Sequence, residues 1–180
     1  MHRKNRGVFS YALWRSQRWD MGRPVTAKLL NASDIASFTV SGDGSAKITR
    51  AAKAVGYEVT AVNNSLTVSV GLKSQDIVPG AYDVSITFKN FRSAGALSTG
   101  TLGVADAIAR AELVIAVEHA GGVYRVYGLG APLVCTELVG DSAASEYYTY
   151  TFGVEDWQVG TTIHSLTKAD YDALSTAAAA

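Results

Sequence analysis

The chain has 180 residues, an apolar fraction of 48% and equal numbers of basic and acidic side chains, enough length and apolar content to bury a core and to exclude general disorder. No apolar run approaches the ~18–20 residues that cross a bilayer as a helix, and Arg15 and Arg18 interrupt any signal-peptide core, so synthesis in a cytoplasm is expected. The zero net charge hides an asymmetry: residues 1–24 hold Arg3, Lys4, Arg6, Arg15, Arg18 and Arg23 against Asp20 alone, which leaves ten basic and fifteen acidic side chains in 25–180.

Residues 1–24 form a basic arm that also carries Phe9, Tyr11, Trp14 and Trp19. Aromatics and arginine at this density mark contact surfaces, so Phe9, Tyr11, Trp14, Arg15, Arg18 and Trp19 are candidates for an oligomer interface. Two strands, 35–40 and 46–51, are expected around a tight turn at Ser41-Gly42-Asp43-Gly44-Ser45, where glycine and aspartate accept positive φ cheaply. The next two stretches alternate apolar and polar residues. Val55, Tyr57, Val59 and Ala61 share one face of the first, Leu66, Val68, Val70 and Leu72 one face of the second, and Asn63-Asn64-Ser65 is expected to join them as a hairpin. The opposite, polar face of that hairpin carries Glu58, Thr60, Thr67 and Ser69.

The longest strand is expected at 81–91, with Val84, Ile86 and Phe88 turned inward, followed by a Gly/Ser/Ala/Thr-rich link and a short helix over 101–111. Strands 113–118 and 123–127 flank an Ala120-Gly121-Gly122 turn, and further strands are read at 133–138 and 147–154. Tyr148, Tyr150 and Phe152 share a side of the last strand, where cross-strand packing is the favoured role over stacking on bases or sugars. A second short helix is capped by Thr167, with Asp170 three residues later. The sum is a mainly β fold, a β-sandwich or curled barrel-like sheet with one flanking helix and a short C-terminal helix. The domain reading is an arm at 1–24, a β-sandwich at 25–156 and a C-terminal extension at 157–180.

The chain offers little that resembles catalysis. His2, His119 and His164 lack metal-ligand spacing, Cys135 is a lone cysteine in an apolar run, and no cofactor is implied. Neither a Gly-x-Ser-x-Gly elbow nor a His-Glu-x-x-His helix occurs, and the adjacent Glu155 and Asp156 would face opposite sides of a strand. The expectation is a protein that is not an enzyme.

In order and spacing, the pieces resemble the tail tube (major tail) proteins of tailed bacteriophages across roughly residues 25–154. The similarity runs from Leu29-Leu30-Asn31-Ala32-Ser33-Asp34-Ile35 and the Gly42-Asp43-Gly44 turn, through Tyr57-Glu58-Val59-Thr60 and Asn63-Asn64-Ser65-Leu66, to Tyr82–Phe88. Its best match is Leu113–Glu118 with Gly122-Val123-Tyr124-Arg125-Val126-Tyr127-Gly128, continuing into Gly130-Ala131-Pro132-Leu133 and Tyr148-Thr149-Tyr150-Thr151-Phe152. The resemblance implies a virion structural protein whose subunits join sheets edge to edge into rings, typically six-fold. The rings stack into a tube, locked by extended arms, through which DNA passes without specific binding. Its partners would be copies of itself and other tail or neck proteins, with no membrane, and its place would be the virion tail. Glu58, Thr60, Thr67 and Ser69 are then candidates for the lumen wall. The basic-aromatic first residues and the segment after Trp157 depart from the family pattern. They keep open a second role on a related sandwich, as a tail-completion, neck or connector, or capsid-associated protein.

Overall fold

The first five residues of Leu113–His119 are apolar without alternation, and such a run belongs to a strand covered on both faces. It occupies the middle of the fold. The computed structural model describes residues 22–59, 64–71, 82–91, 108–140, 147–154 and 160–176. Within them the strands are β1 (Pro24–Asn31), β2 (Ile35–Val40), β3 (Ala46–Arg50), β4 (Tyr57–Val59), β5 (Thr67–Gly71), β6 (Asp83–Phe91), β7 (Leu113–His119), β8 (Val123–Tyr127), β9 (Val134–Gly140), β10 (Tyr147–Gly153) and β11 (Ile163–Leu166), followed by helix α1 (Lys168–Ala173). The fold is mainly β, as the alternation predicts.

Three antiparallel sheets result: a five-stranded sheet in the order β11-β8-β7-β1-β4, a four-stranded sheet in the order β5-β6-β10-β9, and the β2-β3 hairpin. The first two lie face to face. Ala27, Leu29, Ile115, Val117 and Tyr127 from one meet Val84, Ile86, Phe88, Tyr150 and Phe152 from the other in a single buried core. Phe88 sits directly opposite Tyr150 and stacks on it with centroids 5.2 Å apart; Phe152 stacks on Phe88 at 5.9 Å. The tyrosine strand therefore packs across strands, and burial pushes the Tyr150 hydroxyl up to about 12. The five-stranded sheet is covered on its other face too, where Leu30, Val114, Ala116, Val126 and Leu129 pack beneath α1 and the β2-β3 hairpin with Leu166, Tyr171 and Leu174.

Several sequence expectations meet their outcome here. The turn at 41–45 closes β2-β3, with Gly44 at φ +82 and the Asp43 carboxylate accepting bonds from the Ser45 amide and hydroxyl. Gly121 and Gly122, at φ +93 and +76, close β7-β8. Thr167 caps α1 by accepting from the Asp170 amide at 3.1 Å. Residues 108–110 are helical, Ala111 is already outside the helix, and residues 101–107 of the expected 101–111 helix lie outside the described residues.

The hairpin expected over 55–72 does not form. β4 pairs with β1 in the five-stranded sheet, whereas β5 pairs with β6 in the other, so the two strands belong to different sheets. A two-residue period reports that a strand has an inside and an outside; it is silent on the partner. Val55 is not on the inner face but is 54% exposed ahead of β4. Two strands, β1 and β11, carry no signal that sequence reasoning recognised. β1 is covered on both sides and has Lys28 at its centre, which breaks both the alternating and the all-apolar pattern. β11 pairs with β8 and, with α1, builds the C-terminal segment into the five-stranded sheet.

Candidate functional site

The four-stranded sheet has one mostly apolar and one hydroxyl-rich face, because the residues of β5, β6 and β10 alternate, with the buried Asn90 on the apolar face and Tyr147 at the start of β10 as exceptions. Thr67 pairs with Thr87 and Thr87 with Thr151, which sets three threonines in a row across three strands, two of them hydrogen-bonded at 3.2 Å. Ser69 opposite Ser85 makes the next row. Thr149 and Lys89 make another, beside Val139. The described charges on this face are few: Lys89, Asp83 and Glu137, all exposed. Thr67 and Ser69 thus lie together on a wet, weakly charged surface, as the sequence suggests.

Glu58 does not join them. It sits on the other sheet, where its half-exposed carboxylate pairs with Lys28 at 3.8 Å beside α1. The shared polar face expected for Glu58, Thr67 and Ser69 is corrected for Glu58, since the two strands belong to different sheets. Thr60 and the six arm residues Phe9, Tyr11, Trp14, Arg15, Arg18 and Trp19 lie outside the described residues, as do Glu155 and Asp156.

Both edges of this sheet are open among the described residues: β5 pairs only with β6, and β9 only with β10. Each edge leaves inward-turned aliphatics partly uncovered. On β5 these are the half-buried Val68 and Val70. On β9, Leu138 lies opposite the buried Tyr150 yet is 38% exposed, and its outward neighbour Val139 is 46% exposed. Thr136 is the extra residue of a bulge opposite Thr151 and Phe152, which bends β9 and leaves Glu137–Gly140 as its extended stretch. Cys135, just before the bulge, is half-buried; burial raises its thiol, which donates to the Glu137 carbonyl. An exposed strand with aliphatic side chains is a template for pairing with another chain. The edges of the five-stranded sheet differ: β4 is only three residues long, and β11 is flanked by the β2-β3 turn through the Ser165 amide to Gly44 carbonyl bond.

No protein-family model matches the chain, and neither a curated protein nor a solved structure matches it.

Two further features bear on association. The root of the arm is fixed: the His119 Nδ1–H donates to the Gly22 carbonyl at 2.9 Å, and the Ala120 amide donates to the Arg23 carbonyl at 2.7 Å. At the other end of the five-stranded sheet, an open cavity of ≈ 400 Å³ lies between the β2 segment and the sheet, lined by Ala32, Ile35, Phe38, Val114, Leu129 and Pro132 among others. Neither edge strands nor this groove can be read from sequence, because both are defined by which strand ends up beside which. Among the described residues, no group of three or more His, Cys, Asp or Glu gathers in a way that could hold a metal ion.

Proposed function

We propose that this chain is a structural subunit that assembles by joining the β9 edge of one copy to the β5 edge of the next. The four strands of the open sheet alternate in direction, so its two outer strands run antiparallel to each other. Copies related by rotation about an axis along the strands then meet as β9 against β5 in an antiparallel pair. The ladder continues unbroken, and a closed ring becomes one barrel with no edges. Such joining would cover Val68, Val70 and Leu138 in one step. The observation that carries the reading is this pairing of two open, antiparallel, incompletely covered edges on one sheet.

The barrel could present either face inward, and the chemistry favours the hydroxyl face, since the apolar face is already packed on the five-stranded sheet. A wall of serine and threonine with Lys89 as its described cation offers few contacts to phosphate, so a polyanion would slide along it rather than bind. Together with the resemblance noted above, this supports a bacteriophage tail tube protein, with stacked rings forming a DNA conduit in the virion.

Negative-stain microscopy of the purified chain at high concentration tests it. Annular particles or tubes are expected, and Val139→Lys, which places a charge on the pairing edge, should shift the population to single subunits. Two-fold dimers through β9 alone, or a monomer at every concentration, would overturn the reading. Discrete closed rings that never stack would instead favour a connector or neck protein built on the same sheet.

A further inference from the structure

We infer that residues 10–14 of the N-terminal arm add as an antiparallel strand to the open β5 edge of their own subunit, so that the edge offered to β9 of a neighbour is capped until the arm leaves it. The inference rests on the reading above for what the edge does in assembly; the seat of the arm does not depend on it. β5 (Thr67–Gly71) carries no charged residue, so it lacks the side chains by which an open edge usually protects itself, and its inward Val68 and Val70 are only half-buried.

The root of the arm points to this edge. His119 shares the inward face of β7 with Ile115 and Val117, and its ring holds the Gly22 carbonyl at 2.9 Å, which draws the chain at Gly22 toward the four-stranded sheet. The exposed Arg23 donates through Nη1 to Asn64 Oδ1 at 2.8 Å. Asn64 stands three residues before Thr67, and between them the Ser65 hydroxyl accepts from the Lys89 amide at 3.0 Å, next to the β5-β6 ladder. The arm is therefore rooted at the end of the sheet where β5 begins, whereas β9 lies on the far side, three strands or roughly 14 Å away. β5 runs away from this end, and the arm runs toward it, so an arm laid along β5 is antiparallel to it. Asn64 is at most ~11 Å of chain from Thr67. Trp14, eight residues before Gly22, has ~27 Å of extended chain with which to come level with Thr67.

The arm has the sequence for such a strand. Residues 8–14 lie between Gly7 and Arg15, carry no charge, and include Val8, Phe9, Tyr11 and Trp14, types that favour strands. With Trp14 opposite Thr67, Leu13 and Tyr11 come opposite Val68 and Val70 on the inward face, while Ala12 and Ser10 come opposite Ser69 and Gly71 on the hydroxyl face. This register covers both half-buried valines with large apolar side chains, and a slip by one residue would turn Leu13 and Tyr11 out to the wet face. A β9 strand from a neighbour would pair with the same edge in the same antiparallel sense, so arm and neighbour exclude each other.

Directed cross-linking in the full-length chain decides it, at concentrations where light scattering shows no assembly. With Cys135→Ser in place, a chain carrying Ala12→Cys and Ser69→Cys is mildly oxidised. A cross-linked monomer is expected as the main product, at a yield that tenfold dilution leaves unchanged. Leu13→Asp, which sets a charge against the valines, should lower that yield at least tenfold. Absence of a 12–69 product, or a yield that Leu13→Asp leaves in place, would overturn the proposal. So would a disulfide-linked heterodimer as the main product when the two cysteines are carried on separate chains and mixed, since the arm would then sit on another copy. In the chain with no added cysteine, Leu13→Asp should lower the concentration needed for assembly at least tenfold, and an unchanged or raised threshold would overturn the capping role. A cross-linked monomer in a chain that assembles at no concentration would uphold the seat of the arm and overturn the ring reading instead.

Discussion

Lys28 is 4% exposed in the middle of a strand, an expensive place for an ammonium unless every proton has a partner. It donates to the Tyr171 carbonyl at 2.9 Å, the Ser175 hydroxyl at 3.0 Å and the Asp172 carbonyl at 3.3 Å, and it lies 4.3 Å from the Tyr171 ring centroid. Arg50 completes the arrangement from β3, reaching the Ala173, Leu174 and Thr176 carbonyls. Two cations thus satisfy the carboxyl end of α1, where the orphan carbonyls and the helix dipole both favour positive charge. Lys28→Ala should cost about 2–3 kcal/mol in urea unfolding, because it strands buried carbonyls; Arg50→Ala, at a wetter position, should cost about 1–2 kcal/mol. His119 gives a second test. Its ring is buried between the Gly22 carbonyl and the Tyr127 hydroxyl, and burial, reinforced by Arg125, lowers its pKa below the ordinary 6.5. Below that value the unfolded chain binds the proton that the fold resists, so stability present above pH 6.5 is lost as pH falls through the lower folded value. His119→Gln should flatten the acid limb of a stability–pH curve, and an unchanged limb would assign it to other groups. His164, lowered in the same direction by burial, keeps part of the slope.

At the level of strands and helices, the inward residues were legible where a strand has one dry face. Val84, Ile86 and Phe88 are buried as their alternation requires, and Phe88→Ala should cost about 3–5 kcal/mol by emptying the stack with Tyr150 and Phe152. The Thr167 cap was legible because the serine/threonine N-cap and the residue three positions on are a local chemical unit; Thr167→Ala should cost about 1 kcal/mol. What alternation could not show was the partner of β4. Nor could it show Gly56, whose amide donates to the Leu174 carbonyl at 2.8 Å, where an added Cβ would stand 2.7 Å from that oxygen. Gly56→Ala should therefore detach the end of α1 and destabilise the fold by about 1–3 kcal/mol, a loss that thermal melting would register.

For the molecule as a whole, the deciding property is an imbalance between its two large sheets. The five-stranded sheet is covered on both faces, by the other sheet on one and by α1 and the β2-β3 hairpin on the other. The four-stranded sheet is left with a hydroxyl face and two open edges among the described residues. Association driven by such edges depends on protein concentration and on uncovered aliphatics rather than on ion pairs. Assembly measured by light scattering should therefore tolerate added salt, while Val139→Lys should raise the concentration needed for assembly at least tenfold; a strong salt dependence in the unmodified protein would point instead to the charged arm as the main contact.

The sequence by itself determined the class of fold, the inward residues of the half-wetted strands, the turns at 41–45 and 120–122, the cap of α1 and the concentration of arginine and tryptophan ahead of β1. These are local properties, set by residue period, by glycine at positive φ and by side chains within three or four positions of one another. Only the tertiary structure decided which strands are neighbours. It therefore decided that Glu58 and Thr67 part company, that Leu138 and Val139 lie on an open edge, and that a groove forms at the far end of the sheet from the arm. Edges and grooves belong to no single segment; they arise from contacts between residues far apart in the chain, which a reading along the chain does not contain.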